Sequence, residues 1–197
     1  MPRLTSERQE ARQGVILAAA RRVFVERGLH AATTHDVARA AGVPVGSIYT
    51  YFASKDELIR ASILAANKEE TDSVLRDMQA AGTFRERLMR ALAGWYAYTI
   101  EAPGVPAFLA DVWAEAARRP LIRDLVARRR ERVVIVATIL LQEGLAAGEL
   151  RPDLDVELAA RLFANLLDGM ILECLEANGE IRLGDVERRT NLLFALS

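Results

Sequence analysis

Apolar positions near the start of the chain recur three and four residues apart. Ile16, Ala20, Val23 and Phe24 mark one face of a helix that Gly28 is placed to stop. In "ATTHDVARAAG", Thr33 or Thr34 can cap a short second helix that ends at Gly42. Val43 and Pro44 form the turn, with Pro44 expected just inside a third helix that runs to about Phe52. Ile48 and Phe52, four apart, are its inward anchors. Ser54 then reads as an N-cap, with Asp56 and Glu57 where the helix dipole favours acids, and a long fourth helix continues toward Ala80.

The rest of the chain keeps the same period. Thr83 opens a helix reaching Glu101, which "APGVP" (102–106) breaks; another holds Phe108 to Arg118. Pro120 begins a long one that ends at Gly148. Within it "VVIVATILL" (133–141) is β-branched enough to pass for a strand. Good helix formers flank it, and Val133, Val136, Ala137 and Leu140 keep helical spacing, so it reads as helix. Apolar residues on all its sides predict burial all round. Two further helices are expected, from about Val156 to Ala177 and from Asp185 to Leu196. The fold class is all-α: a three-helix head to about residue 54, then a larger helical domain over 55–197.

Composition narrows the function. With 51% hydrophobic and 27% charged residues, the 197-residue chain is a globular protein able to bury a core. No apolar run has membrane-spanning length and no signal peptide is visible, so a cytoplasmic protein without membrane contact is expected. The single Cys174 permits no disulfide framework and reads as a buried, inert thiol. Two His and one Cys do not make a zinc site, and no GxSxG or GxxxxGK motif occurs, so neither an enzyme nor a metal or other cofactor is expected. The net charge of −1 is uneven. Residues 1–55 carry eight basic and four acidic side chains, and the remainder carries 18 basic and 23 acidic. A basic head on an acidic body suits a phosphate backbone as the head's partner.

Three short helices with a glycine turn before the third make a helix-turn-helix. Its physics is to lay one helix across a DNA backbone and insert the next, N-terminus first, into the major groove. Small residues at that start, Val45, Gly46 and Ser47, allow close approach to bases. The tyrosines and Lys55 can reach phosphates.

The string "TTHDVARAAGVPVGSIYTYFASKDEL" (33–58), preceded by "AARRVFVERG" (19–28), resembles the TetR family of bacterial transcriptional regulators. "WAEAARRP" (113–120) and "GELRPDLDVE" (148–157) are similar to members whose ligand domains are of the betaine-repressor kind. The resemblance implies that Thr34 meets a phosphate and that His35 beside it meets phosphate or base. Val45, Gly46, Ser47 and Tyr51 would face base edges or nearby sugar-phosphate, and Tyr49 and Lys55 would clamp the backbone. Thr33, Pro44 and Thr50 complete the DNA-facing set. Many members carry Lys or Arg where this chain has Val45. Bidentate reading of guanine is therefore missing there, and contact with a thymine methyl replaces it.

The function implied is a repressor that binds a palindromic double-stranded DNA operator as a homodimer and is released by a small-molecule effector. A helical ligand-binding dimer without a DNA role, or an activator of the same fold, are the alternatives. The effector is expected among the helices from Thr83 to Gly148, with Trp95, Tyr98, Phe108 and Trp113 as walls. Acids nearby (Glu101, Asp111, Glu115) would suit a cationic or amphipathic compound. The last two helices form the expected dimer surface, through Ala160, Phe163, Ala164, Leu167, Met170 and Ile171; the competing reading makes this stripe intramolecular core. "RRR" (128–130) reads as a solvated face.

Overall fold

The computed structural model describes residues 6–176 and 181–194. Among them are nine helices and no strand. They are α1 (Ser6–Ala31), α2 (Thr34–Ala41), α3 (Val45–Tyr51), α4 (Lys55–Gln79), α5 (Phe84–Thr99), α6 (Val105–Ala116), α7 (Pro120–Ala146), α8 (Val156–Glu176) and α9 (Leu183–Phe194). The expected ends at Ala177 and Leu196 lie outside the described residues.

The boundaries follow local chemistry. Gly28 breaks α1 with φ 75° and ψ 163°, a conformation that glycine alone adopts freely. Thr33 and Thr83 each close a capping box, with Asp36 and Glu86 as the third residue of the following helix. Gly42 ends α2 in the left-handed region, φ 64°, its N–H turned back to the Ala38 and Arg39 carbonyls. Pro44 stands at the N-cap of α3, one position earlier than expected. Ser54 Oγ accepts from the Glu57 N–H (3.1 Å) while the Glu57 carboxylate accepts from the Ala53 N–H (2.7 Å), which fixes the start of α4.

Two compact units divide within α4, one through Asn67 and one from Lys68. In the first, α1, α2 and α3 bury Ile16, Ala20, Phe24, Val37, Ile48 and Phe52. In the second, α5, α7, α8 and α9 supply a core that includes Phe84, Leu92, Leu141, Met170, Ile171 and Phe194. Gly144 is required there: a Cβ at this position would lie 2.8 Å from the Phe84 ring and 2.9 Å from Leu150.

Three expectations are corrected. "VVIVATILL" is helical, within α7, but not buried all round: Val134, Ala137, Leu140 and Leu141 face inward while Ile135 and Ile139 are about half exposed. The "RRR" run is not wholly a solvated face: Arg128 is exposed, but Arg129 is half-buried and paired with Glu70. The stripe Ala160, Phe163, Ala164, Leu167, Met170 and Ile171 belongs to the chain's own core, each at 8% exposure or less, so these side chains form no free dimer surface. Cys174 is free and buried as expected, and burial pushes its thiol up.

Candidate nucleic-acid interface and ligand cavity

In the first unit, α3 is seven residues long and amphipathic in the simplest way. Ile48 is fully buried, with Phe52 just beyond the helix end, so the opposite side is held outward. On that side Pro44, Gly46, Tyr49 and Thr50 are exposed and Val45, Ser47 and Tyr51 half-buried. A Cβ on Gly46 would meet nothing within 4 Å, so the helix start is bare. Thr50 spends its hydroxyl on the Gly46 carbonyl (3.1 Å). Tyr49 is 52% exposed, yet its Oη lies 3.1 Å from Thr34 Oγ1, linking α3 to the first residue of α2.

The start of α2 is heavily bonded. Thr33 Oγ1 accepts from the Asp36 N–H (3.1 Å) and donates to its carboxylate (2.6 Å), which also accepts from the Thr33 N–H (3.1 Å) and from Arg27 (2.9 Å). The Thr33 hydroxyl bond, with Arg27 and Arg39 adding attraction, holds the Asp36 carboxyl below the usual carboxylate range. His35 is exposed and Thr34 buried. Lys55 is half-buried, and its Nζ donates to the His30 carbonyl (2.9 Å), so its charge sits at the end of α1 instead of extending into solvent. The structure thus brings Thr34 and Tyr49 together and sets the polar side of α3 beside them. It gives Thr33 a capping duty that periodicity only half revealed.

The second unit contains a cavity of about 80 Å³ lined mainly by Val74, Leu88, Leu92, Val133, Val136, Leu140, Phe163 and Leu167, with Trp95 on its wall. Of the four expected aromatic walls, Trp95 lines it and Tyr98, Phe108 and Trp113 do not. Phe108 is buried in α6 and Trp113 packs against the main core. Glu115, expected near a cationic ligand, is buried and paired with Arg119 (2.8 Å).

Polar groups at the cavity were not expected from the sequence. Arg129 makes a two-pronged bond to Glu70 (2.6 and 2.9 Å) and lies 3.6 Å from Asp168, which Arg130 also meets at 2.7 Å. Burial alone would lower the Arg129 guanidinium, but Glu70 and then Asp168 outweigh it and the net shift is upward. Asp168 is pushed above the carboxylate range by burial despite both arginines. Arg132 and Trp95 also reach the cavity; Arg132 Nε and Nη2 and Trp95 Nε1 are buried without a hydrogen-bond partner among the described residues.

Helix α8 has a second apolar side. Leu158, Leu162 and Leu172 are 43–54% exposed and, with exposed Gly169, follow one stripe opposite the buried one. On α9, Leu192 is 84% exposed.

A bare, anchored third helix after a glycine turn in the first unit, and an apolar cavity in the second, define the class of helix-turn-helix transcriptional regulators with a second helical domain. Residues 16–62 match the family model of bacterial regulatory proteins of the TetR family, and residues 84–190 match that of the BetI-type transcriptional repressor C-terminal domain. The chain belongs to the TetR family. It is 32% identical over 158 residues to the transcriptional repressor KstR2 of Mycobacterium tuberculosis, covering 77% of this chain and 75% of that one. It is 25% identical over 173 residues to the transcriptional regulator UidR of Escherichia coli, covering 88% and 86%. A TetR transcription regulator from Haloarcula marismortui shares the fold with TM-score 0.85 at 19% identity, over 95% of this chain and 98% of that one. A protein from Saccharomonospora viridis solved with choline gives 0.79 at 24% identity, over 95% and 96%.

Proposed function

We propose that the protein represses transcription by binding a palindromic operator as a homodimer, and that a small molecule in the cavity releases it. The observation that carries this reading is the α3 surface, where buried Ile48 and Phe52 hold a bare, uncharged helix start outward. Val45, Gly46, Ser47 and Tyr51 face base edges. Thr33, Thr34, His35, Pro44, Tyr49 and Thr50 lie along the sugar-phosphate, Thr34 through its backbone N–H because its hydroxyl is engaged with Tyr49. Lys55 neutralises a phosphate beside the end of α1. The head to about residue 54 serves DNA, and the remainder serves the effector and the second copy.

One α3 reads too few bases for useful specificity, so two heads are needed. The dimer forms through the outward stripe of α8, Leu158, Leu162 and Leu172, with Leu192 of α9. Gly169 in that stripe permits close helix approach. The cavity wall includes Glu70, Thr71 and Val74 of α4, the helix that begins at Lys55, so ligand binding and DNA binding bias the same element.

Fluorescence anisotropy of operator and random duplexes against salt tests the DNA surface. Lys55→Ala should weaken both duplexes alike and flatten the salt slope by about one per protomer. Ser47→Ala should leave the slope unchanged and cost on the order of 1–3 kcal/mol on operator alone. Equal, salt-independent losses from both variants would remove α3 from the groove.

A further inference from the structure

We propose that the cavity in the second unit binds an amphipathic anion, a carboxylate with a linear apolar tail, its headgroup held by Arg132 and the Trp95 indole N–H. This rests on the effector reading above and names the chemistry of that ligand.

The charges at the cavity do not balance without such a group. Glu70, Arg129, Asp168 and Arg130 form a closed set of two carboxylates and two guanidiniums, so their charges cancel. Arg132 stands outside that set. It lines the cavity, makes no ion pair among the described residues, and has Nε and Nη2 buried without an acceptor. Arg132 is half-buried as a residue, but these two guanidinium nitrogens are buried, and leaving buried donors unmet is costly. Trp95 adds a second, independent donor. It is 5% exposed, comes from α5 where Arg132 comes from α7, and its Nε1 is likewise without a partner. Three unmet donor nitrogens on two side chains, and no unmet acceptor on the wall, call for an acceptor carrying negative charge.

The remaining wall sets the tail. Leu88, Leu92, Val136, Leu140 and Phe163 offer only carbon, so the ligand leaves the headgroup as an alkyl chain. A cationic ligand fits badly, because the wall carboxylate, Glu70, already accepts two bonds from Arg129, and the cation would face Arg132. With about 80 Å³ open as it stands, the cavity takes a short chain directly, and a longer one requires side chains to move.

Calorimetric titration of the full chain with octanoate and decanoate, the matching alcohols and the matching alkyltrimethylammonium ions tests this. The carboxylates should bind, the alcohols at least about tenfold more weakly, and the ammonium ions least, since a bond to a charged group is stronger than a neutral one. Arg132→Gln should weaken the carboxylates about tenfold and leave the alcohols within a factor of about two. Trp95→Phe, which keeps the ring and removes the N–H, should weaken the carboxylates by a smaller factor; it tests the same headgroup from another helix should the Arg132 variant melt early. Equal binding of acid and alcohol, carboxylate affinity unchanged in both variants, or no carboxylate binding at millimolar concentration would overturn the assignment. Operator release is read separately by anisotropy. Carboxylate binding that depends on Arg132 but leaves operator affinity unchanged keeps this assignment and refutes the effector role. Operator release by an alcohol or ammonium ion with no carboxylate binding does the reverse.

Discussion

Thr33 and Asp36 hold the entrance to α2 through three hydrogen bonds within one turn. Thr33→Ala should cost about 1 kcal/mol, as loss of an N-cap does, read as a lower thermal midpoint at pH 7. The pH dependence has a definite sign. The Asp36 carboxyl is lowered in the folded chain, chiefly by the Thr33 hydroxyl. Its contribution is therefore present above the unfolded value of about 3.9 and lost as pH falls below it. The midpoint difference between wild type and Thr33→Ala should shrink below about pH 4; a constant difference would separate the cap from the carboxylate. That Thr33 or Thr34 caps α2 was legible, because a threonine before a helical run is a local signal; the structure chose Thr33. The Thr34–Tyr49 contact was not, since it joins residues fifteen apart that only packing brings together.

Helix α8 shows what periodicity leaves open. Apolar residues at spacings of three and four occur on two opposite sides of it, and either could have faced the core. Packing with α7 and α9 chose Phe163, Leu167, Met170 and Ile171 for the interior and left Leu158, Leu162 and Leu172 outside. Leu162→Glu should accordingly leave the fold intact, within about 0.5 kcal/mol as surface changes do, but give a monomer by light scattering with weakened operator binding. Leu167→Ala should instead destabilise by about 2–5 kcal/mol through a cavity. If Leu162→Glu stays dimeric, the outward stripe is not the interface. A second element-scale test concerns Gly144, whose missing side chain lets Phe84 and Leu150 lie against α7. Gly144→Ala improves helix propensity but forces that contact apart, and overpacking should win by about 1–3 kcal/mol in chemical denaturation.

At the scale of the whole chain, α4 runs from Lys55, proposed to meet a phosphate, to the cavity-lining Glu70 and Val74. Linkage makes the expected coupling reciprocal: if decanoate weakens operator binding by some factor, saturating operator must weaken decanoate by the same factor. Titrating each in the presence of the other checks both directions, and an asymmetric result would mean that one ligand acts elsewhere. The Arg129–Glu70 bond ties the second part of α4 to α7. Arg129→Ala leaves the half-buried Glu70 carboxylate without its two-pronged partner, so it should cost about 1–3 kcal/mol by thermal or chemical melts.

Local signals in the sequence determined the helices, their caps and the turn at Gly42, because a helix period, a Thr cap and a left-handed glycine each act within a few residues. The helix-turn-helix string was legible for the same reason: its residues are contiguous. What only the tertiary structure decided is which of two apolar sides each long helix buries, and which charges meet. Arg129 read as one of three surface arginines and proved to be the partner of Glu70; Arg132 lay unnoticed in the same helix. Pairing across fifty or more positions has no local signature. Such pairs follow from how the helices pack, which neither residue specifies alone.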